Sequence, residues 1–144
     1  MSKRAIGVDV GGTTVKFGIV DEDGGLTSKM MRPTRAADGP NAVLTVVAEG
    51  INELLGIATD AGSVGIGFPG SVDRSGIVRN PPNFPGWDEL DPAQALTPLL
   101  DRSVNLVVDN DANVAAWAEG RIGGARGEPH FLYVTLGTGI GGTI

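Results

Sequence analysis

No cysteine occurs among the 144 residues, and histidine appears once, at His130. Disulfide stapling and thiolate zinc sites are therefore excluded within this stretch. His130 precedes an apolar run with no cysteine near it, so a capping or surface position is the expectation in place of metal binding or catalysis. Basic residues are few and scattered, 11 Lys and Arg against 17 Asp and Glu for a net charge of -6. That balance supplies no basic footprint for a nucleic acid. No apolar run approaches the roughly eighteen residues of a membrane span. The opening MSKRAIGVDVGG has only a brief apolar stretch with Asp9 inside it, unlike a signal peptide. The expected compartment is the cytoplasm, with neither membrane nor nucleic acid as partner.

Glycine is plentiful, at 23 residues. The glycines are too aperiodic for collagen and lie beside apolar strands, where they mark turns and close backbone approaches. With 41% hydrophobic residues, the chain is long enough for one domain with a real core.

The pattern along the chain predicts an α/β layer system. Residues 5–10 and 14–20 read as strands joined by a glycine turn, and 26–32 as a third strand ending near Pro33. Asp38, Gly39 and Pro40 start a helix whose buried face is Val43, Val47, Ile51, Leu54 and Ala58, at spacings of four, four, three and four. Residues 63–68 form a strand stopped by Pro69-Gly70. From Asp73 to Pro92 the composition predicts an ordered irregular loop, with Phe84 and Trp87 either flooring a ligand or pinning the loop to the core. A short helix over 94–100, a strand over 104–108 and an alanine-rich helix over 112–119 follow, the last with Val114, Ala115, Trp117 and Ala118 available for packing. A final strand, 131–136, runs into a glycine turn. Together these make a mixed sheet flanked by helices.

Three constellations can carry chemistry. Between the first two strands, Asp9, Gly11, Gly12, Thr13, Thr14 and Lys16 suit a phosphate cradle: bare N–H groups and hydroxyls face the phosphate, and Asp9 can hold hydrated magnesium. The alternative is a plain hairpin turn. At the carboxyl end of a later strand, Asp109-Asn110-Asp111-Ala112-Asn113 offers a carboxylate to accept a proton and an amide to orient a hydroxyl. Helix capping is the alternative, but it needs only one of these side chains. The third, Gly137-Thr138-Gly139-Ile140-Gly141-Gly142, satisfies GxGxxG yet lies far from the first strand, against a dinucleotide fold; no GxxxxGK[ST] occurs. Arg121 and Arg126 flank the glycine-rich link before it, as solvated charges or phosphate contacts.

In combination, order and separation, these motifs together with Gly67-x-Pro69-Gly70 and Glu119 resemble the bacterial ROK family, which comprises sugar kinases, among them glucokinases, and related repressors. The resemblance implies an actin-like ATPase (ribonuclease-H-like) fold of two lobes with ATP and a sugar in the cleft. Residues 1–122 would be the N-terminal lobe with the sugar site and first phosphate loop. Residues 123–144 would open the second lobe. The resemblance makes Asp111 the general base toward a hexose hydroxyl, with Asn110 and Gly70 at the sugar. It assigns Asp9 to Mg²⁺ through water, and Gly11, Gly12, Thr13 and Lys16 to the transferring phosphate. Thr138 and Gly139 would meet the ATP phosphates from the other lobe.

The implied activity is ATP-dependent phosphorylation of a hexose such as glucose. Mannose, fructose and amino sugars stay open as acceptors, and polyphosphate as a second donor. Family members continue past residue 144 with a Glu-x-Gly-His sugar motif and often a zinc site. The 144-residue piece alone is therefore expected to be inactive, and its parent to be a homodimer. A sugar-responsive repressor would need a DNA-binding segment before Asp9, for which Met1 leaves no room. An actin-like structural ATPase is disfavoured by Asn110-Asp111-Ala112-Asn113.

Overall fold

The computed structural model describes residues 3–137 and 140–144. Strands β1 (Ala5–Val10), β2 (Thr14–Val20) and β3 (Leu26–Pro33) form the expected antiparallel meander. Helix α1 (Pro40–Ile57) follows, then β4 (Ser63–Phe68), which lies parallel to β1. Strand β8 (Asn105–Asn110) lies parallel to β4, giving a five-stranded sheet in the order β3-β2-β1-β4-β8.

Alternation along the strands divides the sheet into two unlike faces. Ile6, Val8, Val10, Val15, Phe17 and Ile19 point to one side and are buried, as are Val64, Ile66 and Phe68. Helix α1 covers this side with Val43, Val47, Ile51 and Leu54, each at most 1% exposed. Burying such side chains stabilises by about 1.5–3 kcal/mol apiece before the entropic cost of ordering them. Ala58, the last member of the expected stripe, sits one residue past the helix as its buried C-cap, its N–H donating to the Leu54 carbonyl at 2.8 Å.

The opposite face is nearly bare. Gly18 pairs with Gly7, Gly7 with Gly65, and Gly65 with Val107, so three adjacent strands present a row of glycines. Two residues further along lies a polar row, Lys16 opposite Asp9, Asp9 opposite Gly67, and Gly67 opposite Asp109. A cleft of about 1220 Å³ runs over both rows, walled by Trp117 and Phe131.

Several expectations needed correction at the boundaries. The irregular stretch 73–92 contains much of a small sheet of β5 (Ser71–Val72), β6 (Val78–Arg79) and β7 (Glu89–Leu90). Asp73 closes its turn by accepting from the N–H groups of Ser75 and Ile77, and Arg79 bridges Asp73 and Glu89 at 2.6 and 2.8 Å. Phe84 and Trp87 are buried with Phe68, at centroid distances of 5.3 Å between the first two and 5.6 Å between Trp87 and Phe68, which pins the loop to the core. Helix α2 (Pro92–Leu96) starts earlier than expected because Asp91 caps it, accepting from Gln94 N–H at 2.9 Å. It tightens into a 3₁₀ turn at residues 97–99, where Pro98 supplies no N–H.

Helix α3 (Asp111–Ile122) packs through Ala112 and Ala116, while Trp117 and Val114 are exposed. Arg121 lies over the Trp117 ring, 4.7 Å from its centroid. Strands β9 (Tyr133–Leu136) and β10 (Ile140–Thr143) form a hairpin against α3, and His130 lies on the surface. Among the described residues no helix is long and apolar enough to cross a membrane.

Candidate active site

The bend between β1 and β2 is fixed by its own backbone and by the end of β3. Gly11 N–H donates to Thr14 carbonyl at 3.0 Å, and a Cβ on Gly11 would stand 2.8 Å from that carbonyl oxygen, so the turn has room only for glycine. Thr34, fully buried, clamps it twice. Its N–H donates to Thr13 carbonyl at 2.9 Å and its hydroxyl to Gly11 carbonyl at 2.6 Å. With the carbonyls so engaged, Gly12 and Thr13 remain exposed at the tip. Such a tip can offer N–H groups and a hydroxyl to an anion. The motif search missed Thr34, because its contact with Gly11 spans 23 positions and leaves no local pattern.

Asp9 and Lys16 flank the bend from facing positions on β1 and β2. Asp9 is exposed at the opening, yet the surrounding strands still displace part of the water near its carboxylate, which raises its pKa above the ordinary value; Lys16 opposes the rise and the charge of Asp111 adds to it. Asp9 and Asp111 thus feel one another across the strand ends, although 102 positions separate them in the chain. The reason is Gly67. It pairs with Asp9 on one side and with Asp109 on the other, and a Cβ there would stand 3.3 Å from the Asp111 Cα. The absent side chain lets the first turn of α3 settle against the sheet beside Asp9.

Asn110 ties the second half of the site together. Its Oδ1 accepts from the N–H groups of Ala112 and Asn113, at 3.0 and 3.2 Å, capping α3. Its Nδ2 donates to the Gly70 carbonyl at 2.8 Å. Capping and site are therefore not alternatives here, because Asn110 caps and Asp111 is left half-buried at the opening. Among the described residues, Asp111 Oδ1 accepts from the adjacent Ala112 N–H alone, at 2.8 Å. Asp109, which the motif reading carried without a task, accepts from Asn110 N–H and from Asn113 Nδ2, steadying the cap. Gly70 has φ +97°, and its α-carbon is packed against Pro81 and the Arg79 carbonyl.

The structure thus brings Asp9, Lys16 and Asp111 to one strand-end opening, with Asn110 and Gly70 joined by a hydrogen bond along its edge. Thr138 and Gly139 lie outside the described residues. The large cleft reaches Asp9, Lys16 and Asp109 but extends over the glycine row away from Asn110 and Asp111. Among the described residues no three His, Cys, Asp or Glu side chains converge as a metal cage. Asp9, with the charge of Asp111 near it, beside an exposed N–H tip is a donor set that a hydrated dication could share with a phosphate.

A model of the ROK family matches residues 5–144. A glucokinase of Thermotoga maritima is 43% identical over 142 residues, covering 98% of this chain and 44% of that protein. The crystal structure of a ROK family glucokinase from Streptomyces griseus, in complex with glucose and AMPPNP, superposes with a TM-score of 0.84 at 33% identity, over 96% of this chain and 43% of that one. An inorganic polyphosphate/ATP-glucomannokinase from Arthrobacter gives 0.83 at 37% identity, over 97% of this chain and 57% of that one. The chain spans less than half the length of the two glucokinases. Its mixed sheet with flanking helices is the actin-like fold of these kinases. Matched over nearly its whole length, the chain belongs to the ROK family.

Proposed function

We propose that this chain is the sugar-binding lobe, with the first phosphate loop, of an ATP-dependent hexose kinase, with residues 1–122 as that lobe and 123–144 as the start of the second. The observation that carries this reading is the shared opening of Asp111 and the Gly11–Thr13 bend, with Asp9 between them. Asn110 and the Gly70 loop would hold the sugar, and Asp111 would accept the proton of its attacking hydroxyl. The hydroxyl oxygen would bond to the terminal phosphorus of ATP as the bond to the bridging oxygen breaks and ADP leaves with that electron pair. The bend's N–H groups, Thr13 and Lys16 would steady the phosphoryl oxygens. Mg²⁺, held by Asp9 through water, would neutralise phosphate charge. Thr138 and Gly139 would approach the phosphates from the far side.

The reading is tested by giving the complete polypeptide that contains this chain Mg²⁺ and ATP, or polyphosphate, with a panel of hexoses, and measuring sugar phosphate directly. Nucleotide hydrolysis without any sugar phosphate would sink it. The 144 residues alone are expected to give no turnover.

Asp9→Asn separates stability from activity. Because the fold raises the Asp9 pKa, the stability associated with this group is fully present below the ordinary carboxylate pKa and lost as pH rises through the raised value. At neutral pH the variant should therefore melt higher than the unaltered protein, and the gain should vanish at the acid end, where both side chains are neutral. Phosphoryl transfer should fall by about a hundredfold or more. Thermal melts across pH beside initial rates read both; a lower midpoint at neutral pH would contradict the account of Asp9.

A further inference from the structure

The loop between β6 and β7 brings a side chain to the phosphate bend that no motif in the chain pointed to. A Cβ built on Gly12 would lie 3.6 Å from the Cβ of Asn83 and 4.0 Å from its Nδ2. The amide of Asn83 makes no hydrogen bond to any described residue, and the side chain is exposed. Its backbone has φ +66°. The loop beneath is firm: Asn80 N–H donates to Asp88 carbonyl at 3.2 Å, and Phe84 and Trp87 are buried on either side of Pro85-Gly86. An exposed, unpartnered amide is thus held beside an exposed glycine tip by a loop that the core fixes.

From this placement, and resting on the kinase reading above, we infer that Asn83 is a phosphoryl-contact residue, its amide N–H donating to the terminal phosphate of the nucleotide at the Gly11–Thr13 bend. A neutral donor suits the position. An amide carries no net charge, and its two N–H groups stay available to the phosphate oxygens. The competing account is conformational, since asparagine is also a residue that tolerates φ > 0.

Glycine separates the two, because Asn83→Gly keeps the backbone at ease and removes only the amide. In the complete polypeptide, binding of AMPPNP and of ADP is measured by calorimetry for the unaltered protein, Asn83→Gly and Asn83→Asp, with thermal midpoints alongside. Asn83→Gly should bind AMPPNP about ten- to a hundredfold more weakly, the scale of one hydrogen bond to a charged group. ADP, which lacks the terminal phosphate, should bind as before, and the midpoint should be unchanged. Asn83→Asp should weaken AMPPNP further, since its carboxylate repels phosphate. Unaltered AMPPNP binding by Asn83→Gly overturns the inference, as does equal weakening of AMPPNP and ADP. A shift in the hexose KM with none for ATP would also overturn it. These bindings are read without turnover, so a protein that phosphorylates no hexose refutes the kinase reading while the AMPPNP comparison still decides on Asn83.

Discussion

Asp111→Asn is expected to lower kcat for hexose phosphorylation by about 10²–10⁴-fold while leaving the fold and both substrate KM values close to those of the unaltered enzyme. The substitution preserves size, so the helix start can still rest against Gly67. It also leaves the cap in place, because the Ala112 and Asn113 N–H groups bond to Asn110. The ability to take a proton is removed, together with the negative charge. The melting point should stay close to that of the unaltered protein. Steady-state rates with a direct assay of sugar phosphate, beside a thermal melt, check both halves. A kcat within threefold of the original would remove Asp111 from the reaction, and a collapse in melting temperature would mean that the carboxylate serves the fold.

Gly70→Ala acts through shape. At φ +97° an L side chain is strained by about 1–3 kcal/mol. The added Cβ would also stand 2.8 Å from the Pro81 Cα and 3.0 Å from the Arg79 carbonyl oxygen, both backbone atoms unable to swing aside. Crowding of that kind adds a cost of similar size. The melting point should fall by about 5 °C or more, and the hexose KM should rise steeply because the Asn110 amide loses the carbonyl that orients it. Gly56→Ala is the matched control: it sits on an exposed turn of α1 with no atom within 4 Å of a new Cβ, and should be neutral or slightly stabilising. Equal melting points for the two variants would show that the close approach at residue 70 relaxes without cost.

How far residues announce themselves depends on the range of the interactions that hold them. The α1 stripe was legible because one helical face buries residues at fixed spacing, and the meander because alternation and glycine turns are local. Asp111 and Asn110 stood out because four polar side chains crowd one strand end, more than a cap requires. Strands β5, β6 and β7 were not legible, since two residues cannot show alternation and their partners are chosen by Arg79 across the loop. The face that α3 buries was misjudged for a related reason. Alanines at positions 112 and 116 allow close approach to the sheet, while the bulky Trp117 finds an exposed site beneath Arg121. Thr34 and Asn83 reach the bend from remote parts of the chain, so only the folded molecule brings them to it.

The single amide at position 110 has a mechanical corollary. One end is fastened to the first turn of α3 and the other to the carbonyl of residue 70. The wall that would cradle a sugar and the segment that would deprotonate it are accordingly riveted together. A displacement of either part would strain this one side chain, so the loop at residue 70 and the start of α3 are coupled through it.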